Sequence, residues 1–131
     1  MDQQRLIVGI MNNNKTEFED CILVLEDVNF KEEMTNRTPL IIAAMFGNVF
    51  FMERLFFEFE NHINVNEQDI FGKTALHYAV EIGSLEAVKN LLIHGTDVTI
   101  QDKRKSTFMD WIRCPDIKRL PIRDYYHEFI K

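Results

Sequence analysis

The sequence predicts an all-α solenoid, in which paired antiparallel helices stack in about four units with short turn tips between them. Three observations predict this fold. A block of residues recurs every 33 to 36 positions, apolar residues within each block fall at helical spacing, and a glycine stands between its two helical stretches. Each stretch covers only about eight to ten residues, which is too short to be stable alone in water. We therefore expect neighbouring units to supply each other's core.

The repeat is clearest in the unit at residues 69–101. Thr74 stands at the start of its first helix, and Gly83 stands between its two helices. Thr74 matches Thr38 at a distance of 36 residues, and Gly83 matches Gly47 at the same distance. Because spacing, glycines and apolar positions agree over two consecutive units, the repeat predicts the architecture of the whole chain.

The unit before the clearest one holds three extra residues. They fall between Phe57 and Ile63, where we expect a loop after the second helix to absorb them. All units are expected to form one domain without a linker. Their predicted boundaries are residues 1–32, 33–68, 69–101 and 102–131.

The two terminal units are expected to be caps. Residues 1–32 predict a helix pair that is separated by a turn at Asn12–Asn14. Residues 102–131 predict a degenerate unit, whose first helix ends at Pro115 and whose last helix spans 122–130. A terminal unit has one face in water, so its sequence is expected to depart from that of the central units.

Two short segments carry a family signature. Thr74–His77 reads TALH and Thr38–Ile41 reads TPLI, each one residue away from the sequence TPLH. On these segments the chain resembles the ankyrin-repeat family, well over about residues 33–112 and loosely at both ends. The resemblance implies stacked helix pairs and a hydrogen bond between Thr74 and His77 around the turn. It also implies a protein-binding module, similar to the short stand-alone ankyrin proteins of viruses and intracellular microbes.

Charge and motifs exclude several function classes. The net charge is −6, with 11 acidic and 5 basic residues up to Asn66, whereas a DNA-binding domain is expected to be basic. The longest apolar run, Leu40–Phe46, has seven residues, and it is far below the roughly 20 residues of a membrane span. The start lacks the basic and then apolar pattern of a secretory signal. No zinc-ligand spacing, phosphate loop or nucleophile elbow occurs, so we expect no enzyme, no metal and no cofactor.

These exclusions predict an intracellular monomer, located in the cytoplasm or nucleus, that binds neither nucleic acid nor membrane. Cys21 and Cys114 lie in the first and last units, too far apart for a disulfide, and Cys21 is expected in the core. Lys103–Lys105 forms either a solvated turn tip or a nuclear import signal.

The resemblance implies where a partner docks. In ankyrin arrays partners contact the concave face, the surface formed by the turn tips and the exposed edges of the first helices. Large apolar groups that the stack does not need, placed beside basic groups, are typical of a protein interface. The candidate residues are Met34, Arg37, Met45, Phe46, Ile70, Phe71, Lys73, Glu81, Ile82, Lys103 and Arg104.

Two groups of aromatic residues each leave two interpretations open. Phe46 and Phe71 either contact a partner or fold inward against their neighbours. The phenylalanines of the second helix at residues 50–59 either thicken the core or form a second docking site on the outer side.

The functional hypothesis follows from the resemblance. A rigid concave face would bind a protein partner and occlude the surface that this partner needs elsewhere. Some of the short stand-alone ankyrin proteins that the chain resembles are similar to the inhibitors of NF-κB and hold a Rel-type transcription factor inactive. The alternatives are an adaptor that bridges two proteins and a regulatory subunit of an enzyme.

Overall fold

A computed structural model describes residues 2–114 and 116–131, and its helices form two layers. Each first helix packs against the first helix of the next unit, and the second helices pack beside them. The described residues contain no β-strand, which confirms the all-α ankyrin-type solenoid. The first-helix layer contains α1 (Asp2–Met11), α3 (Pro39–Met45), α5 (Ala75–Ile82) and α7 (Phe108–Arg113). The second-helix layer contains α2 (Lys15–Ile22), α4 (Val49–Phe59), α6 (Leu85–Ile93) and α8 (Leu120–Phe129), with a 3₁₀ helix at Ile117–Arg119 before α8.

Side-chain caps explain why several helices begin where they do. Thr74 Oγ1 accepts a hydrogen bond from the backbone N–H of His77 at 3.4 Å. Such a cap satisfies one of the backbone donors that the first helical turn leaves unpaired. At the other end of α5, Gly83 adopts a φ of 78°, which glycine does without strain. Caps of this kind are formed by Asn14, Thr38, Asn48, Thr74 and Ser84.

One hydrophobic core runs through the stack from α1 to α8. Ala43 and Ala79 have no exposed surface, and these small residues let α3 and α5 approach closely. The rings of Phe18 and Phe51 lie 4.5 Å apart between their centres, so an aromatic contact joins the first unit to the second. The core is therefore built between units as well as within them.

The last unit is fixed to the stack by a buried arginine. Arg119 donates from Nε to the carbonyl of Val80 at 2.9 Å and from Nη2 to the carbonyl of Glu81 at 2.8 Å. These carbonyls lie at the end of α5, where helical partners run out. Asp116 pairs with the guanidinium at 2.7 Å, and the Trp111 ring lies 4.6 Å from it. Arg119 thus belongs to the framework of the cap.

Two helix boundaries differ from the predicted ones. Helix α4 continues to Phe59, two residues beyond the position that matches the end of α6, so two of the three extra residues lengthen the helix and the predicted loop follows it. Arg54 pairs with Glu58 at 3.0 Å one turn away, and Phe59 packs against the core, and both contacts favour helix. Helix α8 begins at Leu120, two residues before the predicted start, and ends at Phe129.

The helices are short throughout. The longest, α4, has 11 residues, and in the described part of the chain none is long and apolar enough to cross a membrane. Helix α7 ends at Arg113. Pro115, to which the sequence assigns the end of that helix, lies outside the described residues.

The turn tips share one backbone feature. Asn36, Gly72 and Lys105 have φ values of 57°, 74° and 65°, so each of the three tips reverses through a left-handed residue. At Gly72 there is a second constraint, because a Cβ built there would lie 2.9 Å from the backbone N of Lys103. That amide donates to the carbonyl of Phe71 at 3.0 Å and joins the second tip to the third.

We expect Gly72→Ala to destabilise the protein more than Gly95→Ala does. Gly95 has a similar φ of 81° but open space around it, so alanine there adds only the cost of a left-handed conformation, about 1–2 kcal/mol. At Gly72 the added methyl must also displace Lys103, which costs about 1 kcal/mol or more through the lost hydrogen bond. Urea denaturation of both variants measures the difference. Equal losses of unfolding free energy would contradict the close approach of the tips.

Candidate functional site

Buried carboxylates at their bases hold the second and third turn tips in shape. Asp69 Oδ1 accepts from the backbone N–H groups of Phe71 at 2.9 Å and Lys73 at 3.0 Å. Asp102 Oδ1 does the same in the third tip, where it accepts from the N–H of Arg104 at 2.9 Å. Because backbone groups are held by a buried acid, the side chains at these tips are displayed on a preorganised support.

The first tip uses a different residue for the same purpose. Glu32 accepts hydrogen bonds from two backbone amides of the tip and from the Thr35 hydroxyl at 2.5 Å. The Thr35 hydrogen bond and these amides hold the pKa of Glu32 below its usual range. The repeat spacing places Glu33 opposite Asp69, but the first tip is one residue longer and Glu32 takes the role. Sequence alignment at a fixed spacing misses this shift.

A polar cluster joins the second unit to the third on the concave face. Arg37 donates from Nε to Asp69 Oδ2 at 3.2 Å and from Nη2 to the Tyr78 hydroxyl at 3.2 Å, and that hydroxyl donates to Asp69. The guanidinium also lies 5.8 Å from the centre of the Phe71 ring. Burial, followed by the hydrogen bond to Asp69, raises the pKa of Tyr78 to about 12. Arg37, predicted as a binding residue, is thus already held by the stack.

The basic candidates divide into two groups. Lys73 pairs with Glu81 at 2.9 Å, and its ammonium lies 5.2 Å from the centre of the Tyr78 ring. Lys103 and Arg104, in contrast, are exposed and form no ion pair with any described residue. Of the predicted cations on this face, those at the third tip are the ones with charge left for a partner.

The apolar candidates lie on the surface. Phe46 is 52% exposed and Phe71 is 50% exposed, so neither folds inward as the packing interpretation required. Met34, Ile70 and Ile82 are also exposed, and Met45 is half-buried. A row of large apolar side chains therefore crosses the tips and the edges of α3 and α5.

A cleft of about 260 Å³ opens beside this row, between α1 and α3. The sequence did not predict this cleft, because only the packing of α1 on α3 creates it. Arg37, Thr35 and Glu32 stand at one side, and Gln4 completes the polar rim. The apolar walls are formed by Ile7, Met11, Ile42, Met45 and Phe46.

His77 is a structural residue, as the family resemblance implied. Its Nδ1 accepts from the backbone N–H of Thr74 at 3.0 Å, so Nε2 carries the ring hydrogen and donates to the carbonyl of Ser106 at 3.0 Å. The ring is 2% exposed. The hydrogen bonds join the third unit to the fourth and leave the ring no access to a substrate.

Some phenylalanines of helix α4 are buried in the core and others are exposed on the outer side. Phe51 and Phe56 are buried in the core, whereas Phe57 is 78% exposed and Phe50 is exposed to a smaller degree. Phe56 stacks on the exposed ring of His94 with their centres 3.7 Å apart. The helix thickens the core on one side and presents aromatic groups on the other.

The two cysteines differ in exposure. Cys21 is buried in the first unit, as predicted, and Cys114 is exposed at the end of α7. Among residues 2–114 and 116–131, no three His, Cys, Asp or Glu side chains come together in the manner of a metal site.

Comparison with known proteins connects this geometry to a family. A family model described as ankyrin repeats, in three copies, matches residues 6–102. The chain is 40% identical over 76 residues to ankyrin repeat and SAM domain-containing protein 6 of Rattus norvegicus. The matched segment covers 57% of this chain and 8% of that protein.

Two other relatives have different descriptions. The chain is 36% identical over 70 residues to neurogenic locus notch homolog protein 1 of Homo sapiens. The matched segment covers 53% of this chain and 3% of that protein. It is 32% identical over 93 residues to alpha-latrotoxin-Lg1a of Latrodectus geometricus. The matched segment covers 70% of this chain and 7% of that protein. The chain spans less than a tenth of each relative, so the similarity concerns the repeats.

The cluster at Tyr78 predicts an alkaline loss of stability. The pKa of Tyr78 is raised in the folded chain from 10.0 to about 12, so its neutral hydroxyl contributes stability that is complete below pH 10 and is lost as pH rises toward 12. Tyr78→Phe removes this hydroxyl, and we expect a loss of about 1 kcal/mol at neutral pH. The loss should shrink above pH 10, which urea denaturation across a pH series measures. A difference from the wild type that stays constant over this window would contradict the role of Tyr78.

Proposed function

This chain belongs to the ankyrin-repeat family, whose repeats generally mediate protein–protein interaction, and from that premise we propose that it binds a protein partner through the concave face. The proposal is for a non-catalytic module that acts as a monomer. The observation that carries it is the row of exposed apolar side chains across the second tip and the edge of α5, with Phe71 and Ile82 at its centre. Large apolar side chains on a rigid support are typical anchors of protein interfaces.

The turn tip that carries Phe71 is held in a fixed shape, which favours binding without rearrangement of the chain. Asp69 holds the second tip through two backbone hydrogen bonds, and Arg37 connects it to the first tip. A partner therefore does not have to order these tips when it binds, and the entropic cost of association is reduced. Preorganised surfaces of this kind move little on binding.

We propose that binding acts by occlusion. A partner that lies along the concave face would have its contacting surface hidden from other proteins. A Rel-type transcription factor is the candidate partner, in the cytoplasm or the nucleus, and the support for this choice is the resemblance to short ankyrin inhibitors of NF-κB. A purified Rel-type domain that binds the chain and loses access to DNA would support it, and a domain that shows no binding would exclude it.

A second candidate function, an adaptor between two proteins, is favoured by the outer surface of α4. Phe57 is 78% exposed there, and the guanidinium of Arg54 lies 5.7 Å from its ring centre. An apolar group beside a cation on the layer opposite the concave face offers a second place for a partner. An adaptor would hold both proteins at once.

Replacing Phe71 and Ile82 with Asp should abolish partner binding, because two charges would have to be buried in the interface. Both side chains are exposed, so far-ultraviolet circular dichroism should stay helical. Affinity purification from the native cell, followed by mass spectrometry, measures the loss of the partner. Loss of the helical signal would instead mean that these residues belong to the core.

Phe57→Asp serves as the matched variant on the outer surface. If the chain occludes one partner, this variant should retain that partner at wild-type yield, because α4 lies in the other layer. If the chain is an adaptor, Phe57→Asp should release one protein while the Phe71 and Ile82 double variant releases another. The same purification distinguishes the two functions.

A further inference from the structure

The charges on the concave face are distributed unevenly once internal pairs are taken into account. Arg37 is neutralised by Asp69 at 3.2 Å and Lys73 by Glu81 at 2.9 Å. At the third tip, Lys103 is exposed and unpaired among the described residues, and Arg104 and Lys105 share this state. The available positive charge is therefore concentrated at one end of the face.

The opposite end of the face has the opposite character. The carboxylate of Glu32 is saturated by hydrogen bonds within its own tip, and Glu33 is exposed beside it. Acidic groups of a partner are repelled here and attracted at the third tip. A bound segment thus has a preferred direction along the stack.

The cleft between α1 and α3 lies at this acidic end, and its walls are apolar. Its volume of about 260 Å³ is below the range of typical small-molecule sites but comparable to one large side chain. Of the polar groups at its rim, Arg37, Thr35 and Glu32 already have partners within the chain, and Gln4 is exposed to water. An apolar side chain can fill such a cleft without leaving a buried polar group unpaired, which a polar one cannot.

The distance between the cleft and the third tip sets the spacing of the partner groups that these two places bind. Helices α3, α5 and α7 follow one another in the first-helix layer, so the side of the cleft formed by the first tip and α3 is separated from the third tip by two helix spacings. At about 8–10 Å for each spacing, the separation is on the order of 16–20 Å. An extended chain covers that distance with about five or six residues.

From these observations we infer that the partner presents an extended segment, with a large apolar side chain that fills the cleft and an acidic cluster about five or six residues away that contacts the third tip. The inference rests on the proposed function and specifies the chemistry of the partner. It assigns Lys103, Arg104 and the walls of the cleft to specificity, and it assigns Arg37 and Lys73 to the support.

A peptide-display selection tests the inference without a known partner. The probe is a library of random peptides of about twelve residues, long enough to span both features when extended. Selection on the immobilised chain should enrich peptides that carry an aromatic or large aliphatic residue and an acidic cluster at the inferred spacing. Enriched peptides are then synthesised with a fluorophore, and their affinities are measured by fluorescence anisotropy.

Two pairs of substitutions separate the two contacts. Lys103→Glu with Arg104→Glu should weaken the enriched peptides about tenfold or more, and less at high salt, because the contact is electrostatic. Met11→Gln with Phe46→Gln removes apolar walls without a change of charge, and should weaken them about tenfold at all salt concentrations. Both pairs change exposed side chains, so the fold should be retained.

The matched control makes the same kinds of change on the second-helix layer. Lys15→Glu and Ile93→Gln alter exposed residues of α2 and α6, and should leave the affinities within about twofold of the wild type. A control that weakens the peptides as much as the concave variants would place the binding site elsewhere and overturn the inference.

The outcomes distinguish this inference from the proposed function. Enriched peptides that lack the acidic cluster, or that tolerate the change at Lys103 and Arg104, overturn the inference. If those peptides are still lost on Phe71→Asp with Ile82→Asp, the proposed function stands. If they bind that variant normally, both fail. A selection that enriches no peptide also overturns the inference, while the purification from native cells decides the proposed function separately.

Discussion

The dependence of each unit on its neighbours is the constraint from which the rest of the structure follows. No helix in the described part of the chain exceeds 11 residues, and helices of this length are marginal in water by themselves. Their stability comes from contacts such as Phe18 on Phe51 and from hydrogen bonds that cross between units, including His77 to Ser106. Stacking therefore fixes the positions of the turn tips, and the tips in turn form the concave face.

The same constraint explains how much the sequence could predict. A spacing of 33 to 36 residues and the signature at Thr74–His77 were sufficient for the fold, because stacking repeats its requirements at each unit. The end of α4 at Phe59 and the use of Glu32 were not predictable, since an extra residue can be placed in several ways that the pattern does not distinguish. Length differences between repeats are resolved by local contacts such as Arg54 with Glu58.

The candidate site was predictable in position but not in role. The family resemblance placed Arg37, Lys73, Lys103 and Arg104 together as binding cations, and all four lie on turn tips or directly beside them. Only the three-dimensional arrangement shows that Asp69 and Glu81 hold the first two. Such pairs are separated by 32 and 8 residues in the chain, and spacing alone does not mark them as contacts. The cleft could not be predicted either, because it forms only when α1 packs beside α3.

Residues that hold the turn tips in place and residues that are exposed on them differ in how freely they can be substituted. Residues that hold the tips, such as Asp69 and Arg37, form a partly buried charge pair, and the exchange of Arg37 would leave the buried Asp69 carboxylate without its cation. Phe46, Phe71 and Lys103 have much of their side chain in water, and the stack makes little use of it. Substitutions there are expected to change stability by about 0.5 kcal/mol or less. The exposed side chains of the concave face can therefore change while the support beneath them stays the same.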